Sequence, residues 1–546
     1  VKRFPAEFTD IGAPGLLTDY IRQKQITDFF DVQIPISPRS FEQKADAVRQ
    51  SGGLPREQLT ELLMQYNADF QPSAESINAI LSLKNENTFT ITSGQQLSLF
   101  GGPVFTVYKI ITTIGLARYL SSATSCNVVP VFWLADEDHD FDEIRSFSFP
   151  SADLKVNTAR VNADASKKGF AAGKLPIDES IEQAIEQLYK QAGPLRITKL
   201  SKELLSHWKP GDSWREAFAK GIMRIFGNYG IILAGSDDEA IKKASAPVWE
   251  KLLKHQPDIT AALEDQSLEL MELDYTSQVT INKSDLFWHH PENGRLKVPF
   301  EDNNWHFPAD KQLTTDQAAN YVEEHQLYGK LSPNVFIRPV LQQYLLPNIG
   351  YAGGPSELAY HAQMKSVFRQ FDVEMPVILP RLSATLIEPS INRICKSMPF
   401  GYTSYKQAEH ELISQYLNKS SSLDSDAFFE QWIQETRGLM EKRLPDLAAI
   451  DETLKTSAGS TQQRIEHELN SLKEKLRRHL KEKEGIQIKR IRRIQHHLFP
   501  GQSLQEREYG WLYYTNMYGT NWISELLAEF ERKPFMMLQK HHYIEL

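Results

Sequence analysis

The stretch from Thr88 to Ile144 limits what this chain can fold into more than any other, because it reads as one complete strand–helix–strand unit. Thr88–Thr92 is a short β-favouring run that stops at a glycine-containing loop, Ser93-Gly94-Gln95-Gln96, followed by Leu97-Ser98-Leu99-Phe100-Gly101-Gly102-Pro103. Pro103 suits the first turn of a helix, and Val107, Ile110, Ile111, Ile114 and Leu120 then recur at helical spacing. Val128–Ala135 is too short for a globular helix and nearly all apolar, the pattern of a strand covered on both faces in a parallel sheet. It runs straight into Asp136-Glu137-Asp138-His139-Asp140-Phe141-Asp142-Glu143, six carboxylates and an imidazole in eight residues. Ligands of open α/β sheets bind beyond the carboxyl ends of the strands, where the glycine loop and the acidic run would both lie.

A chain of 546 residues exceeds one core, so roughly two to four domains, or one core with large insertions, are expected. A net charge of -9 argues against a nucleic-acid binder, which concentrates Lys and Arg to displace phosphate counterions. Two cysteines, Cys126 and Cys395, give neither a disulfide framework nor a Cys-rich zinc site, and fit a reducing cytoplasm. The opening Val-Lys-Arg-Phe-Pro-Ala-Glu-Phe resembles no signal peptide, and no apolar run approaches the ~18 residues of a membrane helix. The expectation is a soluble cytoplasmic protein without membrane or nucleic-acid partners.

Residues 1–85 are mostly helical by pattern, a collar on the sheet. Residues 151–210 read as a first insertion with an amphipathic helix at Ile181–Leu188. Within it Gly169-Phe-Ala-Ala-Gly173-Lys174 superficially resembles a phosphate loop, but it is one residue short of the required spacing, and Leu175 stands where a Mg²⁺-binding hydroxyl is needed. A helix over Trp214–Phe226 and a strand in Gly230–Asp238 form a second strand–helix signal, and a hairpin-bearing second insertion is expected over about 265–330. Ser332–Pro339 returns to the core, Asn348–Glu357 is a small-residue segment opening a helix, and Pro376–Pro380 is a last strand ending at Arg381. From Glu409 to Leu498 Gly and Pro are scarce, and Ile465, Leu469, Leu472, Leu476 and Leu480, then Ile488, Ile491, Ile494/Gln495 and Leu498, recur every three or four residues, as in long coiled-coil helices. Turns are expected near Ser457-Ala458-Gly459 and at Gly485. The expected division is a core over 1–395, a helical coiled coil over 396–498 and an aromatic segment over 499–546 that packs back on the core.

Gly94, Gln95 and Gln96 with Gly101 and Gly102 would turn backbone N–H groups and a helix start toward a phosphate or carboxylate; the alternative is a tight turn that merely needs glycine. Tyr108 and Lys109 in the following helix would reach that ligand or cover the surface. Glu137, Asp138, His139 and Asp140 are the catalytic candidates: a carboxylate cluster at a strand end can hold Mg²⁺, orient an amine or keep His139 cationic, whereas a bland acidic run is simply solvated. The spacing makes no zinc site. Arg338 and Arg381, read as strand-edge arginines, suit carboxylate or phosphate capture, with structural ion pairing as the alternative. Trp133, Tyr351, Gly354, Ser356, Glu357 and Tyr360 complete the expected binding set.

Several of these segments closely resemble the BshC family, in the same order and across nearly the whole chain: Ser93–Lys109, Pro130–Ile144, Gly354–Gln363, Met375–Arg381, and Leu498-Phe-Pro500 with Leu504-Gln-Glu-Arg507. The resemblance implies an α/β, Rossmann-like parallel sheet, similar to the class I nucleotidyl-transferase fold, with two insertions and a coiled-coil domain used for homodimerisation. It implies a ligase that adds L-cysteine to glucosaminyl-malate in the last step of bacillithiol biosynthesis, with ATP or ADP as the nucleotide and Mg²⁺ as an option for the carboxylates. The His-x-Gly-His and Lys-Met-Ser-Lys-Ser signatures of class I adenylate-forming enzymes are absent; Gly94-Gln95-Gln96 and Arg381-Leu-Ser-Ala-Thr385 stand in those places. The residues alone leave open another transferase or hydrolase on this sheet, or a coiled-coil scaffold without catalysis.

Overall fold

The computed structural model describes residues 2–32, 34–151, 155–162, 168–191, 197–420 and 424–546, so parts of the expected first insertion lie outside the described residues. The chain divides into two compact units, residues 1–386 with 504–546, and residues 387–503.

The first unit is built on a parallel sheet of five strands among the described residues: β1 (Thr88–Gln95), β2 (Asn127–Leu134), β3 (Ile232–Gly235), β4 (Asn348–Gly353) and β5 (Val377–Pro380). Their order across the sheet is β5-β4-β1-β2-β3, every pair parallel. Burial runs almost unbroken along β1 and β2, which fits a sheet covered on both faces and explains their continuous apolar and threonine-rich sequence. Pro130 sits inside a central strand without breaking it. It pairs with Ile91 on one side, and pairing with β3 on the other begins only at Val131, so the ladder there needs no N–H from the proline. The register aligns Gln95, Leu134 and Gly235 at one edge, and Gly353 with Pro380 at the same edge of the neighbouring strands.

Connecting β1 to β2 is the helix Val104–Ala123, buried on nearly every side because β1 and β2 flank it and the tail helix Asn521–Arg532 packs against it. Gly115 is needed for that approach: a Cβ there would stand 2.4 Å from Phe530 Cδ1. Residues 8–82 are mostly helical, as their pattern predicts, while Lys2–Ala6 before them is a strand paired antiparallel with His541–Glu545, which also neighbours Ser383–Ile387. The two chain ends therefore close one small sheet. The hairpin Leu286–His290 with Gly294–Lys297 is present in the second insertion, but Leu331–Pro333 pairs with it instead of returning to the core.

The second unit is helical. Ser425–Ala448 and Leu454–Lys483 pack as an antiparallel pair in which Asp426 meets Lys473 and Arg477, and Arg437 meets Glu466. No turn exists at Ser457-Ala458-Gly459, which lies inside the second helix; the chain reverses at 449–453 instead, where Asp451 Oδ1 accepts from Thr453 N at 2.9 Å and from its hydroxyl at 2.8 Å. The break expected at Gly485 is found, with Gly485–Leu498 as the next helix and a small core of Ile413, Leu417 and Ile488 beside it.

Candidate active site

From β1 the chain passes to β2 and β3 on one side, then crosses back to place β4 and β5 on the other. The sheet therefore reverses its winding between β1 and β4, the point at which open α/β sheets leave a crevice beyond their carboxyl ends. A cavity of about 360 Å³ lies there. Gly94, Gln95 and Gln96 from the end of β1, Tyr351 on β4 and Gly354, Ser356 and Glu357 just beyond it form its floor and one wall; Ala135 and Asp138 after β2 form another. Phe105, Lys109, Arg338, Pro355, Tyr360, Arg381 and Arg507 complete the lining.

Three guanidinium groups face this space against two carboxylates. Arg338 stands in the first turn of the helix Ile337–Leu345, not at a strand edge as its sequence context suggests, and its Nη2 donates to Tyr360 Oη at 2.8 Å. Burial acts against its charge, but Tyr360, Tyr351 and Glu357 outweigh it and hold the guanidinium firmly protonated. Lys109 Nζ is 2.7 Å from Glu357 Oε2 and also donates to the Gly94 carbonyl at 2.6 Å and Gln95 Oε1 at 3.0 Å. Its three donors are thereby taken, and it braces β1 to the start of the helix Pro355–His361 while lining the cavity. Burial pushes Glu357 up, yet the Lys109 ammonium beside it and the Gly354 N–H, 2.7 Å from Oε2, hold the carboxyl below its ordinary range. Tyr351 Oη donates to the other oxygen, Oε1, at 2.5 Å.

The acidic run divides between two environments. Asp138 faces the cavity, and Gln96 Nε2 donates to its Oδ2 and to Glu143 Oε2, both at 2.6 Å, so the glycine loop and the acidic run do converge. Glu137 turns instead into a buried cluster beyond β2 and β3. Lys242 Nζ lies 2.6 Å from Glu137 Oε1, His289 Nε2 donates to the same oxygen at 3.2 Å, and Ser236 Oγ donates to Oε2 at 2.6 Å. Burial alone would raise this carboxyl; Lys242 and His289 hold it well below the carboxylate range. Asp136 lies beneath, accepting from Tyr66 Oη at 2.7 Å and from the N–H groups of Ser236 and Asp237 at 3.1 Å, with burial and Asp237 pushing it up to about 6. Glu137, Asp237 and His289 have ligand atoms close enough to hold a metal. The Lys242 ammonium, also 3.6 Å from Asp237, already provides the cluster's positive charge, so these residues fit an ammonium better than a metal ion.

The surroundings of His139 oppose a positive charge on its ring. Burial, then the Arg295 guanidinium, push its pKa down, and Arg295 Nη1, which can only donate, approaches Nδ1 at 3.0 Å, a contact that favours the neutral ring accepting there. Asp140 caps the single turn Phe141–Ile144 through Glu143 N at 3.3 Å. In Gly169–Lys174 the N–H groups of Ala172 and Gly173 donate to the carbonyls of Asp138 and Asp136, so these two are engaged within the protein and not turned toward a ligand.

Gly101, Gly102, Tyr108 and Trp133 lie outside the cavity lining. Gly101 and Gly102 have φ of 91° and 80°, and a Cβ on Gly101 would strike Trp511 at 2.4 Å, so this bend serves the contact with the returning tail. Tyr108 and Trp133 are core side chains, 0% and 2% exposed. Gly94 does line the cavity, and a Cβ there would come within 2.9 Å of the Trp133 carbonyl. Sequence reasoning missed Phe105 and Arg507. Phe105 carried a readable signal, one helical turn before Lys109 on the same face. Arg507 ends the Leu504–Arg507 segment that carries the family resemblance, but no local pattern placed it at this cavity, which it reaches from beyond the helical unit.

Comparison with known proteins agrees with this architecture. The profile of the bacillithiol biosynthesis BshC N-terminal Rossmann-like domain matches residues 7–382, and that of the BshC C-terminal coiled-coil domain matches residues 384–544. Proteins named "Putative cysteine ligase BshC" from Bacillus cereus (strain AH187), Bacillus anthracis (strain CDC 684 / NRRL 3495) and Bacillus thuringiensis subsp. konkukian (strain 97-27) are 27%, 28% and 27% identical, each alignment covering 99% of this chain and 100% of the relative. With a matched Rossmann-like domain on a five-stranded parallel sheet and a matched coiled-coil domain after it, the chain belongs to the BshC family of bacillithiol biosynthesis.

Proposed function

We propose that this protein is an ATP-assisted ligase that joins the carboxylate of L-cysteine to the amine of glucosaminyl-malate. The observation that carries this reading is the cavity at the winding reversal, where Arg338, Arg381 and Arg507 gather on one lining and Asp138 stands on another. Guanidinium groups suit the malate carboxylates or a nucleotide phosphate. Asp138, held by Gln96, suits an incoming ammonium: it orients the amine and takes the proton that the nitrogen must lose. In the balanced step the amine attacks the ATP-activated cysteine carbonyl, the C–N bond forms, and the bond from that carbon to the activating phosphate oxygen breaks. Magnesium, where required, would arrive with the nucleotide phosphates, and Asp138, which shares the Gln96 amide with Glu143, is a lining carboxylate that could meet it. The relatives' name, putative cysteine ligase, supports the cysteine-joining part of this assignment.

We further infer a homodimer formed through residues 387–503. Incubation of purified protein with cysteine, glucosaminyl-malate and each nucleotide in turn tests the chemistry: the thiol product should appear with an equal amount of AMP or ADP. Failure to consume cysteine and glucosaminyl-malate together, with any nucleotide, refutes it.

A further inference from the structure

Glu506 is 1% exposed, in the short helix Gln505–Glu508 that opens the returning tail. Its carboxylate accepts from Arg381 Nη2 at 2.7 Å, from Ser383 Oγ at 3.1 Å and from Ala384 N at 2.8 Å. Arg381 directly follows β5, is 5% exposed, lines the cavity, and donates through Nη1 to the Leu382 carbonyl at 2.8 Å. Both terminal nitrogens of the guanidinium are thus tied to the protein, while the buried Nε has no hydrogen-bond partner among the described residues. The group is also 5.1 Å from the Phe105 ring, another lining residue.

Stability alone is a weak reason for such a pair. Burying two charges costs about as much as their attraction returns, and apolar replacements are often neutral. The tail also has other anchors: the strand His541–Glu545 and the bond from Val104 N to the Tyr509 carbonyl. What the pair does fix is the direction of the arginine fork before any ligand arrives, which removes an ordering cost from binding. We propose that Glu506 is a positioning residue for the substrate anion, acting through Arg381, so that the tail beyond the helical unit takes part in building the site. This rests on the reading of the cavity as the site for glucosaminyl-malate.

Calorimetric titration of the full-length protein with glucosaminyl-malate tests it, using the wild type, Glu506→Gln, Arg381→Met and the double variant. Glu506→Gln should weaken binding roughly tenfold, the effect of one misdirected charge-assisted contact. In the Arg381→Met background the same change should shift Kd less than about twofold, because the residue through which Glu506 acts is gone. A structural role would instead carry its full penalty into that background, and this result, or unchanged binding by folded Glu506→Gln, overturns the inference. Should Glu506→Gln not fold, Glu506→Asp keeps the charge, shortens the reach by one methylene and must show the same dependence on Arg381. A wild type that does not bind glucosaminyl-malate refutes the reading of the cavity and the inference with it; a wild type that binds while the variants show no coupling refutes the inference alone.

Discussion

Glu137 and Asp138 are adjacent in the chain but answer to different physics. Glu137 is 6% exposed and compensates the buried Lys242 ammonium, whereas Asp138 reaches the cavity with Gln96 as its donor. Glu137→Gln should therefore cost roughly 2 kcal/mol of stability, because it takes the nearer carboxylate from the buried Lys242 and leaves it Asp237 at 3.6 Å. Asp138→Asn should stay within about 0.5 kcal/mol of the wild type and yet lose on the order of a hundredfold in kcat/KM. Urea unfolding beside a thiol-formation assay separates the two, and wild-type turnover by Asp138→Asn removes Asp138 from the chemistry. The sequence made it legible that acidic side chains gather at the end of β2, because eight nearly apolar residues must end at a sheet edge. Which of them faces the cavity was not legible. That is decided by Gly169–Lys174 and the hairpin around Arg295, distant segments that meet over the acidic run through the bond from Arg295 N to the Gly169 carbonyl.

Elements were easier to read than contacts. Trp214–Phe226 forms as its periodicity predicts, and β2 ends within a residue of the expected limit, because local apolar spacing and breakers decide both. Arg338 was misplaced because Phe336-Ile-Arg-Pro339 has strand-like composition while Pro339 lies in the first turn of a helix, where its missing N–H costs nothing. Ser457-Ala458-Gly459 suggested a turn, but Ala458 is the buried position of a long helix and its small side chain serves packing; the Asp451-x-Thr453 bonds are the local signal of the real reversal. On the partner helix Ser425–Ala448, Phe428, Trp432, Leu439 and Leu447 are 42%, 39%, 65% and 39% exposed. At about 100° per residue these four fall within one stripe about 100° wide, the width of a seam that another helix covers. The inferred dimer places a second copy on that stripe. Trp432→Glu should then raise the dimer dissociation constant about thirtyfold or more, as removal of a central aromatic anchor does, while leaving monomer helicity unchanged. Sedimentation equilibrium reads this directly, and a wild type that is monomeric across the accessible concentration range excludes the dimer.

Across the whole molecule, buried titratable groups pull stability in opposite directions with pH. His361, His541 and His542 are pushed by burial to about 4, so between roughly 6.5 and 4 the unfolded chain binds more protons at these rings and stability falls as the pH drops. Asp136 and Asp285 are pushed by burial up to about 6, so between 3.8 and about 6 the folded chain binds more protons at these carboxyls and stability falls as the pH rises. The two sets offset each other over much of the same window, and the bulk acid profile alone identifies neither. A difference between variants isolates one ring, because every group common to both chains cancels. His541 is the suitable choice: its Nδ1 is 2.8 Å from Ser383 Oγ and its Nε2 2.9 Å from Thr385 Oγ1, and the two ionised groups that face it, Glu506 and Arg381, are retained. His541→Gln leaves an amide that can serve both hydroxyls but cannot titrate. At pH 7.5 the variant should be the less stable by the quality of those lost bonds, and the gap should close by about 2 kcal/mol when both proteins are unfolded by urea at pH 5. A gap that stays constant between the two pH values would mean that His541 is as readily protonated in the folded protein as in the unfolded chain, against its burial between two hydroxyls at the junction of the tail strand and Ser383–Ile387.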